Sequence, residues 1–274
     1  MSVALAFESM GEGPPVVILH GLFGSGRNWK PFAQALAQRH RVILPDACNH
    51  GASPWSDDMS YTAMARDVLT FIERERLHRP VLVGHSMGGK TAMALALTHP
   101  DAIAGIAVID IAPVTYPDQF SPYVAALRGL DLASASRRKE IRRALAVRPG
   151  PDAPLDLLIQ NVRNHEARFD WRLNLMATAL CMPDLCGFPA ALMGERYTGP
   201  ALFVAGGDSD YVRPDADEAI RRMFKQARVE RIADAGHWVH ADAPQALQRL
   251  LQGWLGGLPL RRAALRVLAE REPV

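Results

Sequence analysis

The stretch VLVGHSMGGKTAMALAL, residues 81–97, runs a β-branched segment straight into a run of good helix formers with no polar spacer between them. At the junction Gly84, His85, Ser86, Met87 and Gly88 fill a G-x-S-x-G pattern, which Gly89 extends. A serine on so tight a strand-to-helix turn takes strained dihedrals, and small residues two before and two after it let neighbouring chain approach. The helix that follows points its positive N-terminal end at the serine, where negative charge develops when a carbonyl is attacked. Ser86 is therefore the candidate nucleophile. A carboxylate at this point would form alkyl esters, cleaved later at the enzyme's own carbonyl. A serine alkyl ether would be a dead end, so Ser86 points to acyl chemistry.

Outward from this junction, short apolar runs alternate with amphipathic ones. VVILHG (16–21), RVILPD (41–46), RPVLVG (79–84), IAVIDI (106–111) and ALFVAG (201–206) are β-branched and end at Gly or Asp. Nearly continuous apolar strands of this kind are buried on both faces, as in parallel sheets. WKPFAQALAQRH and YTAMARDVLTFIERERL, lying between them, repeat apolar residues at three and four and read as helices. The alternation predicts an α/β fold with a doubly wound, mostly parallel sheet. From Thr115 to Thr198 no convincing strand occurs, and Arg, Ala and Leu dominate. This part reads as a helical cap, residues 115–198, inserted into a core of residues 1–114 and 199–274. The last segment, LRRAALRVLAERE (260–272), reads as a solvated amphipathic helix packed on the domain.

Acyl chemistry needs donors for an oxyanion and a base. HGLFGS (20–25) follows an early strand, where a loop of this kind supplies backbone amides. The bland alternative is an ordinary strand-ending turn. Read with the elbow, it makes the amides of Leu22 and Met87 the oxyanion donors and Phe23 a wall of the acyl pocket. Nine histidines are present. His20 and His85 sit inside motifs that explain them structurally, and His240 follows His237 by three residues. His237 comes directly after Ala-Gly, beyond a short strand at 228–232, and stands late in the chain, as the order serine, acid, histidine requires. It is the candidate base.

Bulk properties narrow the function classes. The chain has 274 residues, 49% of them hydrophobic, enough for one large domain with a full core. A net charge of +2 with no basic stripe gives no reason to expect nucleic acid. Three cysteines, Cys48, Cys181 and Cys186, are an odd count that fits a reducing compartment. Cys181 and Cys186 lack a second metal-like pair, so no metal site is expected, and acyl chemistry of this kind calls for no cofactor. The N-terminal residues lack the basic and apolar regions of a signal peptide, and no apolar run is long enough to span a membrane. The expectation is a soluble, cytoplasmic protein acting on a small-molecule acyl ester.

Five motifs in order, HGLFGSGRNW, PDACNHGASP, GHSMGGKTAM, VIDIAPVTY and AGHWVHADAP, make the chain from Val16 to about Leu255 resemble an α/β-hydrolase. Within that superfamily it is similar to the small YbfF-type esterases, with Cys48 at an interior position of the family's Asp-x-x-Asn-His-Gly run. The resemblance bears on the acid. Most α/β-hydrolases take it from G-x-x-D after the strand equivalent to ALFVAG, but here that position is Ser209, flanked by Asp208 and Asp210. Adjacent side chains of an extended segment point opposite ways, so a shift of one residue does not simply move the carboxylate over. YbfF-type enzymes place the acid at the end of the preceding strand, which here is Asp110. A charge in a run as apolar as GIAVIDIA is costly unless paired, and His237 is the obvious partner. Tips of neighbouring strands lie about 4.8 Å apart, so either could reach the same histidine. Asp110 is the expected acid, with Asp210 and Asp208 as alternatives and Ser209 as an auxiliary hydroxyl on Asp110 or His237. Phe120, Tyr123, Trp171 and Met176 are the cap candidates for the acyl pocket. The resemblance implies a serine hydrolase cleaving small carboxylic esters or thioesters through an acyl-enzyme. A C–C bond hydrolase, a cofactor-free perhydrolase and a small-molecule receptor with a vestigial site use the same parts.

Overall fold

A computed structural model describes residues 2–146, 155–165 and 168–260. The elements run β1 (Phe7–Met10), β2 (Pro15–Leu19), α1 (Lys30–Leu36), β3 (Arg41–Pro45), α2 (Tyr61–Arg74), β4 (Val81–His85), α3 (Met87–Thr98) and β5 (Gly105–Ile109). Next come α4 (Ser121–Arg128), α5 (Arg138–Ala146), α6 (Leu155–Ile159), β6 (Val162–His165), β7 (Arg168–Trp171), α7 (Leu175–Leu180) and α8 (Met182–Cys186). The chain then returns through β8 (Tyr197–Gly206), α9 (Ala216–Met223), β9 (Phe224–Ile232), α10 (Val239–Asp242) and α11 (Pro244–Gly257). Seven strands form one sheet in the order β1-β3-β2-β4-β5-β8-β9, parallel except for the antiparallel edge β1.

The apolar runs are continuous because both faces of the sheet are covered. Val17, Leu19, Leu82, Ile106 and Val108 face one cluster with α2 and α3. Val16, Ile18, Val81, Val83, Ala107 and Ile109 face a second cluster with α1 and α11. Each such side chain taken fully out of water contributes about 1.5–3 kcal/mol, so the central strands are fixed in register by both clusters at once. α2 begins at Ser60, whose hydroxyl accepts from the Ala63 amide, and its apolar stripe packs on α3.

Two features depart from the sequence reading. The edge strand β1 is only four residues long, too short to leave a pattern. Within 115–198, where no strand was expected, β6 and β7 form an antiparallel hairpin. Its strands are four residues each, too short for the Arg-Phe-Asp-Trp alternation of β7 to announce it; an Arg163–Asp170 ion pair crosses the two strands. The terminal helix expected over 260–272 lies outside the described residues after Leu260. Among the described residues no helix is long and apolar enough to cross a membrane.

Candidate active site

The parallel strands β4, β5 and β8 end side by side, and the candidate residues stand at those ends. Ser86 follows β4 directly at φ +52° and ψ −118°, a left-handed conformation that costs a serine about 1–3 kcal/mol unless the surroundings enforce it. They do enforce it. A Cβ at Gly84 would stand 2.3 Å from the Gly88 carbonyl oxygen, and one at Gly88 would stand 2.4 Å from that of Leu19. Only glycine lets the strand, the turn and the helix close this tightly. The Ser86 amide donates to the Ile109 carbonyl at 3.1 Å, which ties the turn to the end of β5.

Asp110 is the next residue on β5, at φ +50°, with its amide donating to Val204 of β8 at 2.8 Å. Its carboxylate is 0% exposed. A buried carboxylate survives only with its acceptor sites filled, and here three donors fill them. The Gly206 amide donates to Oδ1 at 2.9 Å, and His237 Nδ1 donates to Oδ2 at 2.8 Å. The Ser209 hydroxyl donates to Oδ2 as well. With Nδ1 donating to Asp110, His237 Nε2 is the ring nitrogen left without a protein partner among the described residues. The Tyr211 ring stacks on the imidazole at 3.9 Å between centres, and the Tyr211 amide donates to Ser209 Oγ at 3.2 Å. Ser209 therefore holds both Asp110 and the residue that stacks on His237. Asp208 and Asp210 are solvent-facing, and Asp210 pairs with Arg213 at 2.9 Å.

The residue before the nucleophile has its own function. His85 is buried and donates from Nε2 to the His237 carbonyl at 2.8 Å, so the elbow fixes the backbone at His237. Burial holds its imidazole well below the usual histidine range. His240 stacks on Trp29 at 4.1 Å and is pulled down to about 4 by burial. It packs the base loop and makes no contact with Asp110.

The HGLFGS loop lies against the elbow: a Cβ on Gly21 would come within 3.3 Å of Ser86 Cβ. Among the described residues neither the Leu22 nor the Met87 amide has a protein acceptor. Two histidines buttress the loop. His20 accepts from the Ala47 amide at 2.9 Å and donates to Gly21 O at 2.8 Å. His50 accepts from the Phe23 amide at 3.3 Å and donates to Cys48 O at 2.9 Å. Burial lowers both, His50 to about 3, so both stand neutral with one nitrogen donating and the other accepting. Asn161, just beyond α6, donates to the Phe23 carbonyl at 2.8 Å.

A cavity of about 20 Å³ opens at Ser86 between the elbow and the segment from Tyr116 to Cys186, lined by Leu22, Met87, Ile111, Phe120 and Leu185 among others. Of the expected lining residues, Phe120 is there. Phe23 and Tyr123 are instead buried beside it, with ring centres 6.2 Å apart. Met176 is 54% exposed and, like the half-buried Trp171 on β7, lies outside the cavity. Reading the sequence alone missed Lys90, Tyr61, Tyr116 and Tyr211, which complete the wall. Cys186 also lines it as a free thiol, while Cys181 stands at the other end of α8 and donates to Asp57 O. Among the described residues no group of three His, Cys, Asp or Glu could hold a metal ion.

Comparison with known proteins bears on the same chemistry. Residues 14–244 match the family profile described as alpha/beta hydrolase fold. The chain is 41% identical over 240 residues to the sn-1-specific diacylglycerol lipase ABHD11 of Mus musculus, covering 85% of this chain and 78% of that one. It is 34% identical to the esterase YbfF of Escherichia coli (strain K12), covering 90% and 95%. Among solved structures, a marine microorganism esterase superposes with a TM-score of 0.88 at 35% identity, covering 92% of this chain and all of that one.

Proposed function

Since the chain belongs to the α/β-hydrolase fold family, we propose that it hydrolyses small carboxylic esters through an acyl-enzyme on Ser86, with His237 as base and Asp110 as acid. The observation that carries this reading is the buried Asp110–His237 hydrogen bond at the strand tip next to the strained serine. Ser86 Oγ attacks the acyl carbon as His237 Nε2 takes its proton. The oxyanion settles between the amides of Leu22 and Met87, each donor contributing about 3 kcal/mol at the transition state. His237 then returns the proton to the departing alkoxide, and the alcohol leaves. Water attacks the acyl-enzyme with His237 again as base, which frees the acid and restores Ser86. Asp110 holds the imidazole in the productive tautomer and stabilises the imidazolium throughout. A thioester offers the same acyl carbon to the same groups.

In this reading residues 115–198 are the lid. Asn161 fixes the oxyanion loop from above, Asn174 donates from its amide to Asn49 O, and the Tyr61 hydroxyl donates to Leu185 O. A cavity of about 20 Å³ has room for about one water, so an acyl chain enters as these contacts open.

Ser86→Ala tests the reading. On an activated ester the variant is expected to fall below about a thousandth of wild-type kcat/KM, with its circular dichroism unchanged. A fluorophosphonate is expected to label the wild type alone. Activity above that level, or labelling of both proteins, removes Ser86 from the nucleophile's role.

A further inference from the structure

Lys90 stands one helical turn beyond Ser86 on α3 and is 1% exposed. Its Nζ donates to the carbonyl oxygens of Cys186 at 2.9 Å and Gly187 at 2.5 Å, at the C-terminal end of α8. That end of a helix leaves carbonyls unpaired and favours a cation, which accounts for how the ammonium is held. Two ring faces complete its surroundings, Tyr116 at 4.7 Å and Tyr61 at 5.5 Å. Among the described residues no carboxylate pairs with it. Burial pulls the amine down to about 7, as the absence of a counter-ion requires.

Anchoring the cap does not require a cation in this position. The Tyr61 hydroxyl and the Tyr116 amide already hold Leu185 O and Cys186 O. What Lys90 adds is an amine in the wall of the cavity that contains Ser86, one that an anion beside it would hold in the charged form, and none of the residues lining that cavity is Asp or Glu. A purely apolar acyl pocket would be better served by Leu or Met, since a buried cation without a counter-charge is a standing cost.

We infer that Lys90 reads the far end of the acyl group and favours esters whose acyl chain ends in a carboxylate over neutral chains of equal length. The inference rests on the hydrolase reading above and names the substrate class for the same site. An ammonium has three protons; two go to cap carbonyls, and the third is left for a carboxylate oxygen. As the cap moves to admit the acyl chain, its terminal carboxylate takes that third proton in a charge-assisted bond. Ser86 and Lys90 line the same small cavity, so a short acyl group such as glutaryl is the probe.

The test compares monoethyl glutarate with ethyl pentanoate, following ethanol release by wild type, Lys90→Gln and Lys90→Met. The quantity read is the ratio of kcat/KM for the two esters within each protein, which partial unfolding of a variant cannot change. The wild-type ratio is expected to exceed the ratio in both variants by about tenfold or more, the worth of one charge-assisted hydrogen bond. Equal ratios in all three proteins, within about twofold of one another, would overturn the assignment of Lys90 and leave the hydrolase reading standing. If the wild type releases ethanol from neither ester, the hydrolase reading fails and takes this one with it.

Discussion

The loops after β5 and β8 leave neighbouring, hydrogen-bonded strands at the same end of the sheet, and both carry aspartates, yet the two loops treat them oppositely. After β5, Asp110 is sealed from water and takes three hydrogen bonds, one of them from His237. After β8, the Asp210 side chain is 85% exposed and meets only Arg213. An exposed pair of that kind is worth about 0–1 kcal/mol, whereas a buried carboxylate stripped of its partners loses several. The difference lies in the position between the two β8 aspartates. Ser209, at the place where the acid is commonly found, turns its hydroxyl onto Asp110 and so makes the β8 loop a support for the β5 carboxylate. Proximity to a histidine is thus not enough to name an acid. The carboxylate must also be the one the fold has desolvated and satisfied.

The comparison can be stressed in several ways. In the background of Asp110→Asn, the further change Ser209→Asp moves the carboxylate to the β8 tip. If the tips are equivalent in reach, the double variant recovers about a hundredfold of the roughly 10⁴ lost by the single one. A double variant no better than the single one would show that only β5 presents a carboxylate to His237 correctly. Ser209→Ala removes a hydroxyl from Asp110 and the acceptor of the Tyr211 amide. A loss of about 1–3 kcal/mol in transition-state stabilisation, roughly fivefold to 150-fold in kcat/KM, is expected. No loss would make Ser209 a bystander.

A contrast between buried and solvated groups also governs acid stability. His50 and His240 are held to about 3 and about 4 by burial. Each stays neutral when folded, while the unfolded chain takes up the proton near pH 6.5. Their contribution is fully present above that pH and is lost as the pH falls toward the folded values. Between pH 6.5 and 5, urea denaturation is expected to report a loss of about 1–2 kcal/mol per group. Constant stability across that window would contradict neutral burial. The smallest effect belongs to Asp208→Asn, which touches an exposed side chain and is expected to change kcat/KM by less than about threefold.

What was legible in the sequence follows from how local each constraint is. Ser86 and the small residues around it are dictated by one turn, so five consecutive residues carry the signal. His237 was marked by its Ala-Gly approach and its place late in the chain. Asp110 was visible as a charge at the end of a run buried on both faces. Lys90 stood in plain view beside the elbow, but its meaning depends on carbonyls of Cys186 and Gly187, almost a hundred positions away. Asn161 and its bond to Phe23 O were hidden for the same reason. The β6–β7 hairpin was hidden because its strands are four residues each, mostly polar, and pair only with each other.

The central claim is that the β5 carboxylate, and not either of those after β8, serves the base. The most direct measurement is kcat/KM for Asp110→Asn and Asp210→Asn on one activated ester, with the fold of each verified. Asp110→Asn keeps the shape of the side chain but removes the charge that orients His237, and a fall of about 10⁴ is expected. Asp210→Asn loses a solvent-exposed partner of Arg213 and is expected to stay within about threefold of wild type. The reverse outcome, with Asp210→Asn crippled and Asp110→Asn active, would move the acid to β8 and contradict the account.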